Sequence, residues 1–151
     1  MNDSDRSSVV PLRDEGGTPI VPPKMVVALR NVAEAIFVTD EGPPPKERLD
    51  WLALECEDFL ARSGARTLWV LRLALFALGV LAPLSILRFT SLGKLPVSER
   101  VRALAQLEHG SLGAPVVAVK AFLCVIYYEH PDAAAQIGFD GQCLLAGGER
   151  S

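Results

Sequence analysis

The sequence predicts an all-α protein, a single small helical domain of about five to six helices with a disordered N-terminal tail. Three observations predict it. Apolar residues recur at helical spacing in successive segments divided by Pro and Gly. No turn-bounded pair of alternating segments offers strand partners. A chain of 151 residues has room for one core and not comfortably for two.

Composition narrows the function classes. Half of the residues are apolar, 22% are charged and the mean hydropathy is +0.27. That is apolar for a soluble chain of ordinary make-up, so part of the surface is expected to meet a membrane or a partner. Fifteen Lys and Arg against eighteen Asp and Glu give a net charge of −3, and no basic stripe interleaves with aromatics, which argues against nucleic acid. Cys56, Cys124 and Cys143 are odd in number and far apart, so they read as buried or idle thiols rather than a disulfide framework or zinc site.

Residues 1–24 are rich in charge, Ser, Gly and Pro and bury too little apolar area to offset the entropy of ordering. They form the expected disordered tail, dispensable for folding and partner binding. The tail has neither an apolar run for a signal peptide nor adjacent arginines. Membrane association on the cytoplasmic side is therefore expected, with periplasmic placement only through export with a partner. The helical domain is expected over residues 25–143 and a flexible C-terminal tail over 144–151.

The first helix puts Met25, Leu29, Val32 and Ile36 on one face and Arg30, Asn31 and Glu34 on the other, before "TDEGPPPK" breaks it. The second gathers Leu49, Leu52, Cys56, Phe59 and Leu60 against Glu47, Asp50, Glu55, Asp58 and Arg62, and Ser63-Gly64 ends it. The third, "LWVLRLALFALGVLAPLSIL" over 68–87, is interrupted only by Arg72. Its unbroken part, 73–87, would rise about 22 Å, short of a hydrocarbon layer of roughly 30 Å. Adding 68–71 places Arg72 inside the layer. Arg62 and Arg66 before it and Arg88 and Lys94 after it assign no orientation. A buried or interfacial helix is expected ahead of a true span.

Leu95-Pro96 opens a fourth helix, with Val97, Val101, Leu104 and Leu107 inward and Glu99, Arg100, Arg102 and Glu108 outward, stopped by Gly110-Ser111. The fifth, over 112–128, carries Pro115 in its first turn and one internal base, Lys120. A short sixth helix runs from Pro131 to Gln136 and ends at Gly138.

Glu129-His130-Pro131-Asp132 is the one place where two acids and a histidine crowd together. Acid–base or metal chemistry uses such groups. Helix punctuation explains them better: Pro131 restricts His130 to extended geometry, and Asp132 complements the dipole of the following helix. His109 sits at a helix end beside Gly110, Cys124 lies mid-helix, and neither the Gly16-Gly17 nor the Gly147-Gly148 pair makes a phosphate cradle. No catalytic, cofactor-binding or metal residue is assigned. Arg72 and Lys120, each alone in an apolar helix, are expected to pair with a neighbouring helix, snorkel to headgroups or meet a partner.

Three stretches, "NVAEAIFVTDEGPPP" (31–45), "RFTSLGKLPVSERVRALAQLE" (88–108) and "AVKAFLCVIYYEHPDAAAQIGFDGQC" (118–143), carry a family resemblance. They resemble the small helical accessory subunit of glucose-methanol-choline-type flavin oxidoreductases, similar to gluconate 2-dehydrogenase subunit 3. The same order of elements resembles the N-terminal helical region of long-chain fatty alcohol oxidases. The resemblance implies a non-catalytic chain that binds and stabilises a separate FAD-dependent alcohol or sugar dehydrogenase or oxidase and holds it at the membrane. FAD is then expected in the partner subunit and no cofactor in this chain. The docking residues expected on this reading are Arg72, Leu78, Val119, Lys120, Tyr127, Tyr128, Glu129, His130 and Pro131. The alternative is a small integral membrane protein of unrelated function, with spans at 68–87 and 112–128.

Overall fold

The computed structural model describes residues 20–138. Residues 1–19 of the expected N-terminal tail, the whole expected C-terminal tail, and residues 139–143 of the third resembling stretch, Cys143 included, lie outside that range. Six α-helices follow in order: α1 Pro23–Ile36, α2 Lys46–Arg62, α3 Gly64–Ser85, α4 Val97–Glu108, α5 Ala114–Tyr127 and α6 Pro131–Gln136. A single 3-10 turn, Leu92–Lys94, lies between α3 and α4. The all-α architecture matches the sequence expectation.

Pro22, in extended geometry, leads into α1, and Pro23 fills its first turn, where a missing N–H costs nothing. The fold therefore starts earlier than Met25. Val21 is 1% exposed and belongs to the core, so the proposed boundary at residue 24 is corrected: the last residues of the supposed tail are packed. After α1, Thr39 and Gly42 bond each other's backbones at 2.9 Å, a turn that Gly42 closes with φ 114°. Between α2 and α3 only Ser63 intervenes. Its Oγ donates to the Phe59 carbonyl at 2.6 Å, and Gly64 takes φ 80° to redirect the chain. The third helix thus begins at Gly64, four residues before the expected start.

The core is one continuous cluster. It joins Met25, Leu29 and Val32 of α1, Leu49, Leu52, Cys56 and Leu60 of α2, and Leu71, Leu75, Leu78 and Ala82 of α3 to Leu104 and Leu107 of α4 and Val116, Val119, Leu123 and Ile126 of α5. Within each helix these positions follow three- and four-residue steps, the geometry of one inward stripe. Helix α3 packs along both α4 and α5, and α1 packs mainly on α2 and α4.

Polar links tie the junctions. Arg30 Nε meets Asp50 Oδ1 at 2.9 Å between α1 and α2. Hydrogen bonds from Lys46, and then from Arg30, hold the Asp50 carboxyl below its usual range, although partial desolvation opposes them. Lys120 Nζ reaches both carboxylate oxygens of Glu108, at 3.1 and 3.2 Å, joining α5 to α4.

Arg100 corrects the reading of α4. Expected on the outer face, it is 7% exposed, the one buried charged residue among those described. Its Nε donates to the Leu95 carbonyl at 3.0 Å, and its Nη1 donates to the Asn31 carbonyl at 2.8 Å and to Glu34 Oε2 at 2.9 Å. The planar guanidinium thereby satisfies three groups at once, two on α1 and one just before α4.

The end of α3 is unusual. Leu87 N–H bonds the Leu84 carbonyl at 3.0 Å and Arg88 N–H reaches back to the Pro83 carbonyl at 2.9 Å. This is the doubly bonded helix terminus in which the residue just beyond the C-cap turns left-handed, a position that favours Gly. Here it is Leu87, with φ 57°.

Candidate docking surfaces

The last turn of α5 places Tyr127 on the inward stripe with Leu123. Its ring stacks on Phe37, with centroids 3.8 Å apart and planes 8° from parallel. Arg48 of α2 donates to the Tyr127 hydroxyl at 3.2 Å and to Gln136 Oε1 at 3.3 Å, and lies 3.9 Å from Asp132. One arginine thus clamps the end of α5 to α6. Pro131 holds His130 extended, at φ −72° and ψ 126°, as the N-cap of α6. There His130 Nδ1 accepts the Asp132 N–H at 3.3 Å, and the ring meets Trp51 edge-on at 4.8 Å.

Of the five residues expected at this edge, Tyr127 is buried and His130 is turned mostly inward, while Tyr128, Glu129 and Pro131 face out. The imidazole caps a helix and packs on an indole. Beside it Glu129, together with Glu55, Asp58, Phe59 and Arg62, rims a depression of about 440 Å³ between α2 and α5. Asp58 is bonded there to Arg62, at 2.9 Å. No group of three or more His, Cys, Asp or Glu side chains able to hold a metal ion occurs among the described residues.

The other four expected docking residues separate. Leu78 and Val119 are 0% exposed, so both belong to the chain's own core, not to a surface. On a helix apolar all round, hydropathy does not mark which side faces in, and these are the sides that α3 and α5 turn into the bundle. Lys120 is engaged by Glu108 and only half exposed. Arg72 is exposed, with its guanidinium carbon 5.4 Å from the Trp69 ring centroid, a cation–π arrangement.

What α3 presents outward is apolar. Trp69, Leu73, Phe76, Val80 and Leu84 are all exposed, Phe76 to 72%, and beyond the helix Leu87 and Phe89 stand 82% and 92% exposed. Between α3 and α5 runs an apolar groove of about 350 Å³, lined by Val70, Leu71, Ala74, Ala118 and Phe122 and closed at one end by Arg66 and Thr67. Sequence reasoning passed over this stripe, although its four- and three-residue steps are readable once the opposite stripe is known to be buried. Phe37, Arg48 and Arg100 were missed for a different reason: nothing local distinguishes them.

The thiols are poor nucleophiles. Burial, with the nearby Glu55 charge adding to it, pushes Cys56 up to about 12. Burial also raises Cys124, against the opposing charge of Lys120.

The fold and its surfaces define a class, a small helical bundle with a clamped helix-end edge and an open apolar face on α3. No protein-family model, curated protein or solved structure matches the chain.

Proposed function

We propose that this chain is a non-catalytic accessory subunit that binds and stabilises a separate FAD-dependent alcohol or sugar dehydrogenase or oxidase and holds it at a membrane. The observation that carries the reading is the edge at the end of α5. Tyr128, Glu129 and Pro131 point outward from a base fixed by the Phe37–Tyr127 stack and the Arg48 clamp. Side chains already held in place lose little freedom on binding, which is what a docking edge requires. The identity of the partner comes from the resemblance of 31–45, 88–108 and 118–143 to accessory subunits of flavin oxidoreductases.

Coexpression with a flavin-dependent catalytic subunit tests it. A joint Tyr128→Asp, Pro131→Ala variant should fail to copurify the flavoprotein, whereas His130→Ala should weaken assembly modestly and leave turnover of the assembled complex intact. Flavin bound to the isolated chain, or turnover lost in a fully assembled His130→Ala complex, would refute the reading.

A second reading, a small integral membrane protein of unrelated function, draws on one observation. Helix α3 is 22 residues long, with a mean hydropathy of 2.0 in its most apolar window, long and apolar enough to cross a membrane. Helix α5, the other expected span, has only 14 residues, a rise of about 21 Å. Resistance to carbonate extraction would favour this second reading.

A further inference from the structure

We infer that the outer face of α3 seats the protein on an anionic phospholipid bilayer, with the helix lying in the headgroup plane rather than crossing it. This names the membrane contact of the accessory-subunit reading and rests on that reading for its purpose, while its chemistry stands on this chain alone. The exposed stripe Trp69, Leu73, Phe76, Val80, Leu84 follows steps of four, three, four and four residues and so runs straight along one side of the helix. The opposite stripe, Leu71, Leu75, Leu78 and Ala82, is spent on the core. Half the circumference is left for an apolar medium. Crossing the layer would carry α4 in with it, since α4 packs along α3 and bears Glu99, Arg102 and Glu108.

The end of the helix extends the face. The left-handed Leu87 throws its own side chain and that of Phe89 outward, making them the two most exposed large apolar residues described. A backbone conformation that Leu adopts at a cost suggests that the projecting side chain has a use.

Charge selects the occupant. From Ser63 to Ser98 the sequence holds Arg66, Arg72, Arg88 and Lys94 and no acid. Of the fifteen Lys and Arg these are four, which leaves eleven against eighteen acids elsewhere, so a +4 segment sits in a remainder of −7. Arg88 is answered by Glu99 at 2.7 Å. Arg66 and Arg72 are both exposed and, at about 100° per residue, flank the apolar stripe on opposite sides. Apolar residues between cations, with an indole beside a guanidinium, match the boundary between acyl chains and anionic headgroups. A second copy fits worse, because a two-fold contact would set the exposed Arg66 and Arg72 against their own counterparts.

Flotation of the full chain, alone or in its copurified complex, tests the inference with vesicles of phosphatidylcholine and of phosphatidylcholine mixed with phosphatidylglycerol. The protein should float with the mixed vesicles and not with phosphatidylcholine alone, and added salt should weaken the association. Carbonate should strip it. Emission should shift to the blue on binding, and Trp69→Phe should remove the shift, leaving Trp51 as control. Phe76→Glu should lower partitioning roughly tenfold or more, by loss of one buried phenyl. Arg66→Gln and Arg72→Gln should each lower it about fivefold, and Arg102→Gln on α4 should not. All four side chains are exposed, so unchanged thermal melts separate lost binding from lost folding. Equal binding to both vesicle types, resistance to carbonate, no flotation, or a dimer that Phe76→Glu dissociates would each overturn the inference. Failure to float with flavoprotein copurification intact would strike this surface and spare the subunit reading.

Discussion

Arg100→Met removes the polar hub of the bundle while keeping most of its volume. Methionine fills the space of the aliphatic stem, so the loss falls on three acceptors: the Leu95 carbonyl, the Asn31 carbonyl and Glu34 Oε2. A buried acceptor left unsatisfied costs about 1–3 kcal/mol, and stripping the partner from a largely buried charge pair costs about 3–5 kcal/mol. The Glu34 side chain retains 22% exposure and can recruit water, which places the sum near the lower end, about 3–4 kcal/mol. Against a total stability of roughly 5–15 kcal/mol that is a large share.

Urea unfolding monitored by circular dichroism measures it, through a lower midpoint at unchanged slope. Arg100→Lys keeps the charge but not the fork, so it should recover the Glu34 contact and lose one of the carbonyls, at about 1–2 kcal/mol. The double variant Arg100→Met, Glu34→Leu should regain part of the loss, because no unpaired carboxylate then remains. An Arg100→Met cost under about 1 kcal/mol would refute the role given to this residue.

Leu87→Gly should stabilise the fold by about 0.5–1 kcal/mol, as relief of the left-handed penalty outweighs the added chain entropy; thermal melts would show it, and vesicle binding should fall at the same time. Val21→Ala should cost about 2 kcal/mol in urea unfolding, and deletion of residues 1–23 should destabilise the chain for the same reason, since Val21 is in the core. In the native protein Cys56, pushed up to about 12 by burial, should resist alkylation at mildly alkaline pH and react only after denaturant is added.

The helices were legible because each is bounded by residues with a local mechanism. Pro96 before α4, Pro115 in the first turn of α5, Pro131 starting α6 and Gly138 ending it act within a few residues of themselves. Facing was legible only where a helix is two-sided. In α1 the buried set Met25, Leu29 and Val32 stands against Arg30, and the inward side was read correctly. In α3 and α5 both sides are apolar, and the sequence alone chose Leu78 and Val119 as surface when they are core. Arg100 shows the converse failure: a charge reads as outward unless one knows that Asn31 and Glu34, nearly seventy residues away, supply its acceptors. The contacts of Arg48 with Tyr127 and Gln136 span comparable distances and were equally invisible.

The same distinction bears on what α3 is for. If its apolar circumference served folding alone, residues on the outer stripe would gain nothing from being Trp69, Leu73 and Phe76, because exposed apolar side chains add no stability and invite association. A helix held by Leu71, Leu75, Leu78 and Ala82 would fold with charged residues on its far side, as α2 does with Glu47 and Asp58. The exposed Arg66 and Arg72 and the left-handed Leu87 are likewise unnecessary to the bundle. Three features that the fold does not require coincide on one face. Replacing the outer stripe, Trp69, Leu73, Phe76 and Val80, with Lys and Glu should therefore leave the melting transition within about 1 kcal/mol of the parent while abolishing vesicle flotation. A protein that unfolds when these exposed residues alone are changed would show that the stripe belongs to the fold after all.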